Sequence, residues 1–103
     1  MEGREIPTIG VKDIEKYQNR KDVCFIDVRD REEYEIFHID GAKNLPYEEM
    51  AEWEKYLNVD ILYILYCERG SMSMIAAKEL SAKGYKIFTL VGGIRAFQNK
   101  KLD

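Results

Sequence analysis

Three short apolar runs with little polar alternation constrain the fold of this 103-residue chain more than any other feature. They read VCFIDV at residues 23–28, ILYILY at 61–66 and KIFTLV at 86–91. A strand with one solvated face alternates apolar and polar residues, whereas a strand in a parallel sheet is covered on both faces and reads as a continuous apolar run. The three runs therefore predict strands of a parallel sheet.

Helical patterns separate these runs. The expected helices are marked by Val11, Ile14 and Tyr17, by a capping box of Asp30 and Glu33 in DREEYEIF, by Met50, Trp53 and Leu57, by Ile75 to Ala82 with Gly84 after the end, and by GIRAFQNKK near the C-terminus. IPTI at 6–9 and AKNL at 42–45 are candidates for short edge strands. Strands that alternate with helices predict an open α/β sheet with helices on both faces.

Composition limits what such a chain can do. With 46% hydrophobic residues, 34% charged residues and no apolar stretch of membrane-spanning length, residues 1–103 are expected to form a single globular domain. The net charge is −3, and basic residues are interleaved with acids, so we expect neither a nucleic-acid partner nor a membrane partner. The N-terminal sequence lacks a secretory signal pattern, which predicts a cytoplasmic protein with reduced thiols.

Cys67 is the residue most suggestive of chemistry. It follows the run at 61–66 and is the second residue of YCERGSMS, whose polar residues after the cysteine lead into a helical pattern. Ligands bind at the carboxyl ends of strands in α/β sheets, and the first N–H groups of a helix stabilise an anion. Gly70 lets the loop curl, so its N–H groups would surround an exposed thiol and favour the nucleophilic thiolate. The alternative is an inert buried cysteine.

Cys24 illustrates that inert alternative. It lies inside VCFIDV between Val23 and Phe25 and is expected to be core. If the two strands run parallel, the two cysteines lie at levels roughly 10 Å apart, which is too far for a disulfide. We therefore expect two free thiols.

Three segments together resemble a single-domain rhodanese, a sulfurtransferase. They are FIDVRDREEYEIFHIDGAKNLP at 25–46, YCERGSMS at 66–73 and LVGGIRAF at 90–97, in an order that covers nearly the whole chain. The resemblance implies an open, mainly parallel five-stranded sheet flanked by helices. It also implies a six-residue active loop from Cys67 to Met72, which cradles a persulfide on Cys67.

The composition of this loop bears on the reaction. Related phosphatase domains have a loop one residue longer, with an arginine where this chain has Ser73, and phosphoryl transfer needs such a charge. Many rhodaneses carry a basic residue at the position of Met72. Arg69 could supply that cation and Glu68 would oppose it, although both could also be solvated loop side chains.

These observations predict a sulfurtransferase without metal or cofactor. Cys67 would be the nucleophile, and the substrate would bind to the loop that comprises Glu68, Arg69, Gly70, Ser71, Met72 and Ser73. The expected donor is a small sulfur compound such as thiosulfate or polysulfide, and the acceptor is a thiol, a cyanide-like nucleophile or a sulfur-accepting protein. A non-catalytic persulfide carrier or docking module is the alternative, and a phosphatase or arsenate reductase is disfavoured by loop length.

Five further residues near the motifs have less specific roles. The only histidine, His38, has no second ligand at metal-binding spacing and is expected to be structural. Asp27 and Arg29 end their strand at the edge that carries the loop, where they could orient it or form a purely structural ion pair. The pair at 92–93, Gly-Gly, predicts a tight turn packed beside the active loop.

Overall fold

Strands and helices alternate through the chain, and every strand runs parallel to its neighbours. The computed structural model describes residues 5–102, with side chains for residues 5–100; residues 1–4 and 103 of the expected domain lie outside the described part. The strands are β1 (Thr8–Ile9), β2 (Val23–Asp27), β3 (Lys43–Asn44), β4 (Leu62–Tyr66) and β5 (Lys86–Leu90). Their order in the single sheet is β1-β5-β4-β2-β3.

The three strands predicted from apolar runs are the central ones. These strands, β2, β4 and β5, are buried by helices on both faces, as the lack of polar alternation indicated. The candidate edge segments contain β1 and β3, each only two residues long. The predicted five-stranded parallel sheet is therefore confirmed.

Helices cover both faces of the sheet. The α-helices are α1 (Ile14–Gln18), α2 (Arg31–Ile36), α3 (Met50–Trp53), α4 (Ser71–Ala82) and α5 (Gly93–Leu102), and 3-10 turns occupy Val11–Asp13, Tyr47–Glu49 and Glu54–Tyr56. Tyr63 and Leu65 of β4 face the cluster that contains α3 and α4 residues, whereas Ile64 and Tyr66 face the cluster with α1 and α5 residues. No helix within residues 5–102 is long and apolar enough to span a membrane.

Helix α4, which follows the Cys67 loop, begins earlier than the sequence pattern indicated. Gly70 precedes it with a φ of 113°, in the left-handed region that glycine tolerates, and the helix starts at Ser71 rather than near Ile75. The last two residues of the expected six-residue loop, Ser71 and Met72, therefore already belong to the first turn of the helix. The early start is not readable from apolar spacing, because Ser71 and Met72 are exposed.

The C-terminal end of α4 confirms the role expected of Gly84. This glycine has a φ of 99°, and its N–H donates to the carbonyl of Ser81 over 3.0 Å. The N–H of Tyr85 donates to the carbonyl of Leu80 over 3.3 Å. These two bonds make a Schellman motif, which satisfies carbonyls at the helix end.

Two other helix details differ from the sequence expectation. Asp30 precedes α2 in an extended conformation but its side chain makes no capping hydrogen bond, so the capping box is wrong. Both Asp30 and Glu33 line a cavity instead. On α3, Met50 and Trp53 are buried as expected, but Leu57 lies beyond the helix in extended backbone.

Candidate active site

Cys67 directly follows β4, the central strand of the sheet. Side chains alternate along a strand, so Cys67 continues the face of Tyr63 and Leu65 and packs in the cluster under α4. Only 3% of Cys67 is exposed. The expectation of an exposed thiol is wrong, because the loop and the first turn of α4 close over the side chain.

Two backbone N–H groups point at the Cys67 sulfur. Gly70 N–H donates to Sγ over 3.1 Å, and Ser73 N–H, in the first turn of α4, donates over 3.3 Å. The Cys67 S–H lies 3.5 Å from Ser73 Oγ, and that hydroxyl donates to the Gly70 carbonyl over 3.2 Å. Fixed N–H donors and a helix N-terminus provide a favourable environment for a negatively charged sulfur.

The remaining N–H groups of the loop have no acceptor within the part of the chain that the structure describes. These are the backbone N–H groups of Glu68, Arg69, Ser71 and Met72. The loop residues 68–73 have six backbone N–H groups. Two of them contact Sγ, and the other four can bind an anionic group.

Helix α5 holds the loop from the opposite side. The N–H of Ile94 donates to the Cys67 carbonyl over 2.9 Å, and the N–H of Arg95 donates to the Glu68 carbonyl over 3.1 Å. Since these carbonyls are turned toward α5, the N–H groups of the same trans peptide units point away from α5. The first turn of α5 thus orients the peptide units of the loop.

The glycine pair before this turn makes the contact possible. Gly93 has a φ of 66°, and a Cβ at this position would lie 2.5 Å from the Cys67 carbonyl oxygen. Gly92 has a φ of 78°, and its nitrogen is 3.7 Å from the place where Gly70 would carry a Cβ. The predicted tight turn beside the active loop is confirmed.

A buried ion pair joins the end of β2 to this region. Arg29 Nη2 lies 2.8 Å from Asp27 Oδ2, Nε lies 3.0 Å from Oδ1, and Nη2 also donates to the Phe37 carbonyl over 2.6 Å. Burial disfavours the charged guanidinium, but the Asp27 carboxylate outweighs this and raises the pKa of Arg29 above its ordinary value. The pair also reaches the loop, because Arg29 Nη1 lies 3.6 Å from Glu68 Oε1.

Glu68 bridges two elements and does not extend freely into solvent. Its Oε2 lies 2.7 Å from Arg95 Nε on α5, and its Oε1 faces Arg29 after β2. For Glu68, the sequence left open a solvated side chain or a charge that opposes Arg69, and it did not reveal the two ion pairs that the structure shows. Its carboxylate is paired with two other guanidinium groups and ties the loop to both sides of the site.

A cavity of about 270 Å³ opens above the thiol. Arg69 lies on its wall, is exposed, and makes no ion pair or hydrogen bond with any residue in the range 5–100. Met72 lines the same space and is 40% exposed. The lining residues are Arg29, Asp30, Glu33, Cys67, Glu68, Arg69, Ser71 and Met72. The thiol and most of the predicted loop residues therefore share one accessible space.

Neither Cys24 nor His38 lines the Cys67 cavity, and Cys24 is only partly buried against the core where the sequence predicted a core position. Cys24 is a free, half-buried thiol in β2, and Cys67 is also free. Cys24 pairs in the sheet with Tyr63, far back along β4 from the active loop. His38 Nδ1 lies 2.7 Å from the Tyr34 carbonyl, and its ring stacks on the Tyr34 ring at 3.7 Å. His38 thus packs against α2.

Residues 11–100, most of the chain, match the rhodanese-like domain family. The chain therefore belongs to this family.

Solved and curated relatives agree with this assignment. A rhodanese-related protein from Thermoplasma volcanium superimposes with a TM-score of 0.83 at 30% identity, over 91% of this chain and 92% of that one. The putative sulfurtransferase YtwF of Bacillus subtilis is 31% identical and matches 97% of this rhodanese-like domain and 95% of that protein. Thiosulfate sulfurtransferase GlpE of Coxiella burnetii is 29% identical over 77% of this chain and 75% of its own.

Other relatives are much longer than this rhodanese-like domain. The chain spans 25% of the probable molybdopterin-synthase adenylyltransferase of Porphyra purpurea, and the match is 34% identical over 93% of this chain.

Sequence reasoning on this rhodanese-like domain missed Arg95 and Ile94. Both contact the loop, yet they lie more than twenty residues further along the chain. These contacts could have been inferred from the apolar runs at 61–66 and 86–91. If the two runs form adjacent parallel strands, the ends of β4 and β5 lie together, and so do the segments that follow them.

Proposed function

We propose that this rhodanese-like domain transfers sulfane sulfur through a persulfide on Cys67. Relatives named as sulfurtransferases support sulfur transfer in general. The observation that carries the finer proposal is the pair of N–H bonds from Gly70 and Ser73 to Cys67 Sγ at the floor of an open cavity. A thiolate held this way is a nucleophile that requires no separate base.

The reaction has two displacement steps. In the first, the Cys67 thiolate attacks the outer sulfur of a donor such as thiosulfate; the donor's S–S bond breaks and sulfite leaves with the electron pair. In the second, a thiolate or cyanide attacks the terminal sulfur of the persulfide, and Cys67 recovers its thiolate. Each step exchanges one bond to sulfur for another, so no oxidant or cofactor takes part.

The loop supplies the binding groups in this proposal. The free N–H groups of Glu68, Arg69, Ser71 and Met72 bind the terminal sulfur or the oxygens of the donor, while Gly70 and Ser73 hold Sγ. Arg69 is the unpaired guanidinium on the cavity wall and attracts an anionic donor. Since each cycle starts from a free Cys67 thiol and returns to it, we place the protein in a reducing compartment such as the cytoplasm.

Mass spectrometry tests the proposal directly. After incubation with thiosulfate, the unmodified protein should gain about 32 Da, one sulfur atom, and lose it again when cyanide is added. Cys67→Ser should gain nothing, because a serine hydroxyl does not ionise near neutral pH. Cys24→Ala is the matched control and should behave like the unmodified protein.

The same experiment separates an enzyme from a carrier. Repeated release of thiocyanate with excess thiosulfate and cyanide indicates turnover. A persulfide that forms once and leaves only to a protein acceptor would favour the carrier. Sulfur found on Cys24, or none on Cys67 with either thiosulfate or polysulfide, would refute the proposed role of Cys67.

A further inference from the structure

The charged groups around the Cys67 cavity are unevenly paired. The side chains of Asp30 and Glu33, at the start of α2, form no ion pair within the part of the chain that carries described side chains. Across the cavity, Arg69 is the unpaired cation on the loop. Two carboxylates and one guanidinium are thus available to a bound molecule.

The other charged groups on the cavity wall are already neutralised. Arg29 is held by the buried carboxylate of Asp27, with Nη2 2.8 Å from Oδ2. Glu68 is held by Arg95 on α5, with 2.7 Å between Oε2 and Nε. These pairs leave Arg69 as the unpaired cation of the cavity wall, while the α2 side carries Asp30 and Glu33, of which Glu33 is attracted to Arg29 only at longer range than an ion pair.

The capping geometry leaves both carboxylates available. Asp30 stands at the N-cap of α2, yet its side chain makes no hydrogen bond to the helix, and the first helical bond comes from Tyr34 N–H to the Asp30 carbonyl at 3.1 Å. Both acidic residues therefore line the cavity above the thiol, and the Asp30 side chain is not used to cap the helix.

We infer that Asp30 and Glu33 are specificity-determining residues that select a sulfur acceptor with a cationic group beside its thiol. The inference rests on the proposed persulfide of Cys67. The acceptor thiolate attacks the terminal sulfur, the bond from that sulfur to Cys67 Sγ breaks, and the electron pair remains on Sγ. An ammonium group near the attacking sulfur is attracted by the two carboxylates, whereas a sulfonate in the same place is repelled.

Three thiols of similar size test this inference: cysteamine, which carries an ammonium group, neutral 2-mercaptoethanol, and 2-mercaptoethanesulfonate. Protein loaded with persulfide by thiosulfate, and freed of excess donor, is mixed with each thiol, and the loss of about 32 Da is followed with time. The quantity compared is the ratio of the cysteamine rate to the sulfonate rate. Dividing this ratio by that of a variant cancels the different intrinsic reactivities of the thiols.

The informative variant is D30N combined with E33Q, which removes both charges with little change in shape. We expect its ratio to be lower than that of the unmodified protein by about fivefold or more, and the difference to shrink as salt is added. The control, E32Q combined with E48Q, removes two exposed acids that do not line the cavity and should keep the original ratio.

The outcomes separate the two proposals. If neither thiosulfate nor polysulfide forms a persulfide on the unmodified protein, the proposed function fails before any thiol is added. If persulfide forms but the ratio is the same in the D30N/E33Q variant as in the unmodified protein, the acceptor inference is wrong and the proposed function stands. An equal loss in the E32Q/E48Q control would also refute the inference, because net charge alone would then explain the selectivity.

Discussion

Gly93 lies so close to Cys67 that a Cβ on the glycine would stand 2.5 Å from the Cys67 carbonyl oxygen. The same Cβ would be 2.6 Å from the carbonyl oxygen of Glu68. Contacts this short do not persist in folded proteins, so any side chain at this position must displace the active loop. The shape of the loop therefore depends on a glycine in a different element.

Gly93→Ala should destabilise the fold and disrupt the site together. A residue with a Cβ is destabilised by about 1 to 2 kcal/mol in the left-handed backbone conformation. At this position the added methyl group also collides with the loop. Gly41→Ala is the matched control, because Gly41 has a φ of 88° and a Cβ there would have no atom within 4 Å. Its destabilisation therefore comes from the backbone conformation alone. Denaturant unfolding and persulfide yield should both be worse for Gly93→Ala. Equal stability and equal yield for the two variants would contradict the steric account.

Ser73→Ala should slow persulfide formation without unfolding the protein. The Ser73 hydroxyl lies 3.5 Å from Cys67 Sγ and can turn its hydrogen from the Gly70 carbonyl to an ionised sulfur. Loss of a hydrogen bond to a charged atom should lower the single-turnover rate by about tenfold. Ser71→Ala, which removes an exposed hydroxyl in the same turn, should have little effect. A similar loss in both variants would show that the Ser73 hydroxyl has no special role.

Arg69→Ala should change the choice of sulfur donor. The guanidinium is unpaired on the cavity wall, so its loss should reduce the rate with dianionic thiosulfate by about fivefold or more. The rate with the persulfide of 2-mercaptoethanol, which carries less charge, should fall less. Arg31→Ala removes an exposed arginine that pairs with Glu35 outside the cavity and serves as the control. An equal loss on both donors would mean that Arg69 supports the loop and does not bind the donor.

Cys24 should make stability sensitive to alkaline pH. Burial raises the pKa of its thiol above the ordinary value of 9.0, although nearby Lys43 acts in the opposite direction. As the pH rises, the Cys24 thiol therefore ionises in the unfolded chain before it ionises in the folded protein. The stability that the neutral thiol contributes is complete below about pH 9 and is lost as the pH rises through the higher folded pKa. Melting temperatures measured across this range should fall less steeply for Cys24→Ala. An identical slope in the variant would show that Cys24 does not contribute.

The central part of the fold is readable from the sequence because burial on both faces removes polar alternation. The strands β2, β4 and β5 carry this pattern, and Gly84 marks the end of α4 by its backbone conformation. The same physical logic locates Cys67, since a polar glycine-containing segment after a buried strand indicates a site at the edge of the sheet.

The remaining details depend on contacts that local patterns do not contain. The burial of Cys67 results from a helix that starts at Ser71, where the side chains are exposed and show no apolar spacing. The pairing of Glu68 with Arg95 requires the ends of β4 and β5 to be adjacent, which follows from strand order and not from either segment alone. The sequence at Asp30 and Glu33 matches a capping box, but the Asp30 side chain makes no capping bond and both residues line the cavity.

The position of β4 has a consequence for protection against hydrogen exchange. Two strands lie on each side of it, and the outer ones, β1 and β3, have only two residues each. Fraying can therefore open the edges while the amide hydrogens of residues 63–66 stay protected until the whole domain opens. Cys67 is attached to the end of that strand, so its environment should survive partial opening of the sheet and disappear only with global unfolding.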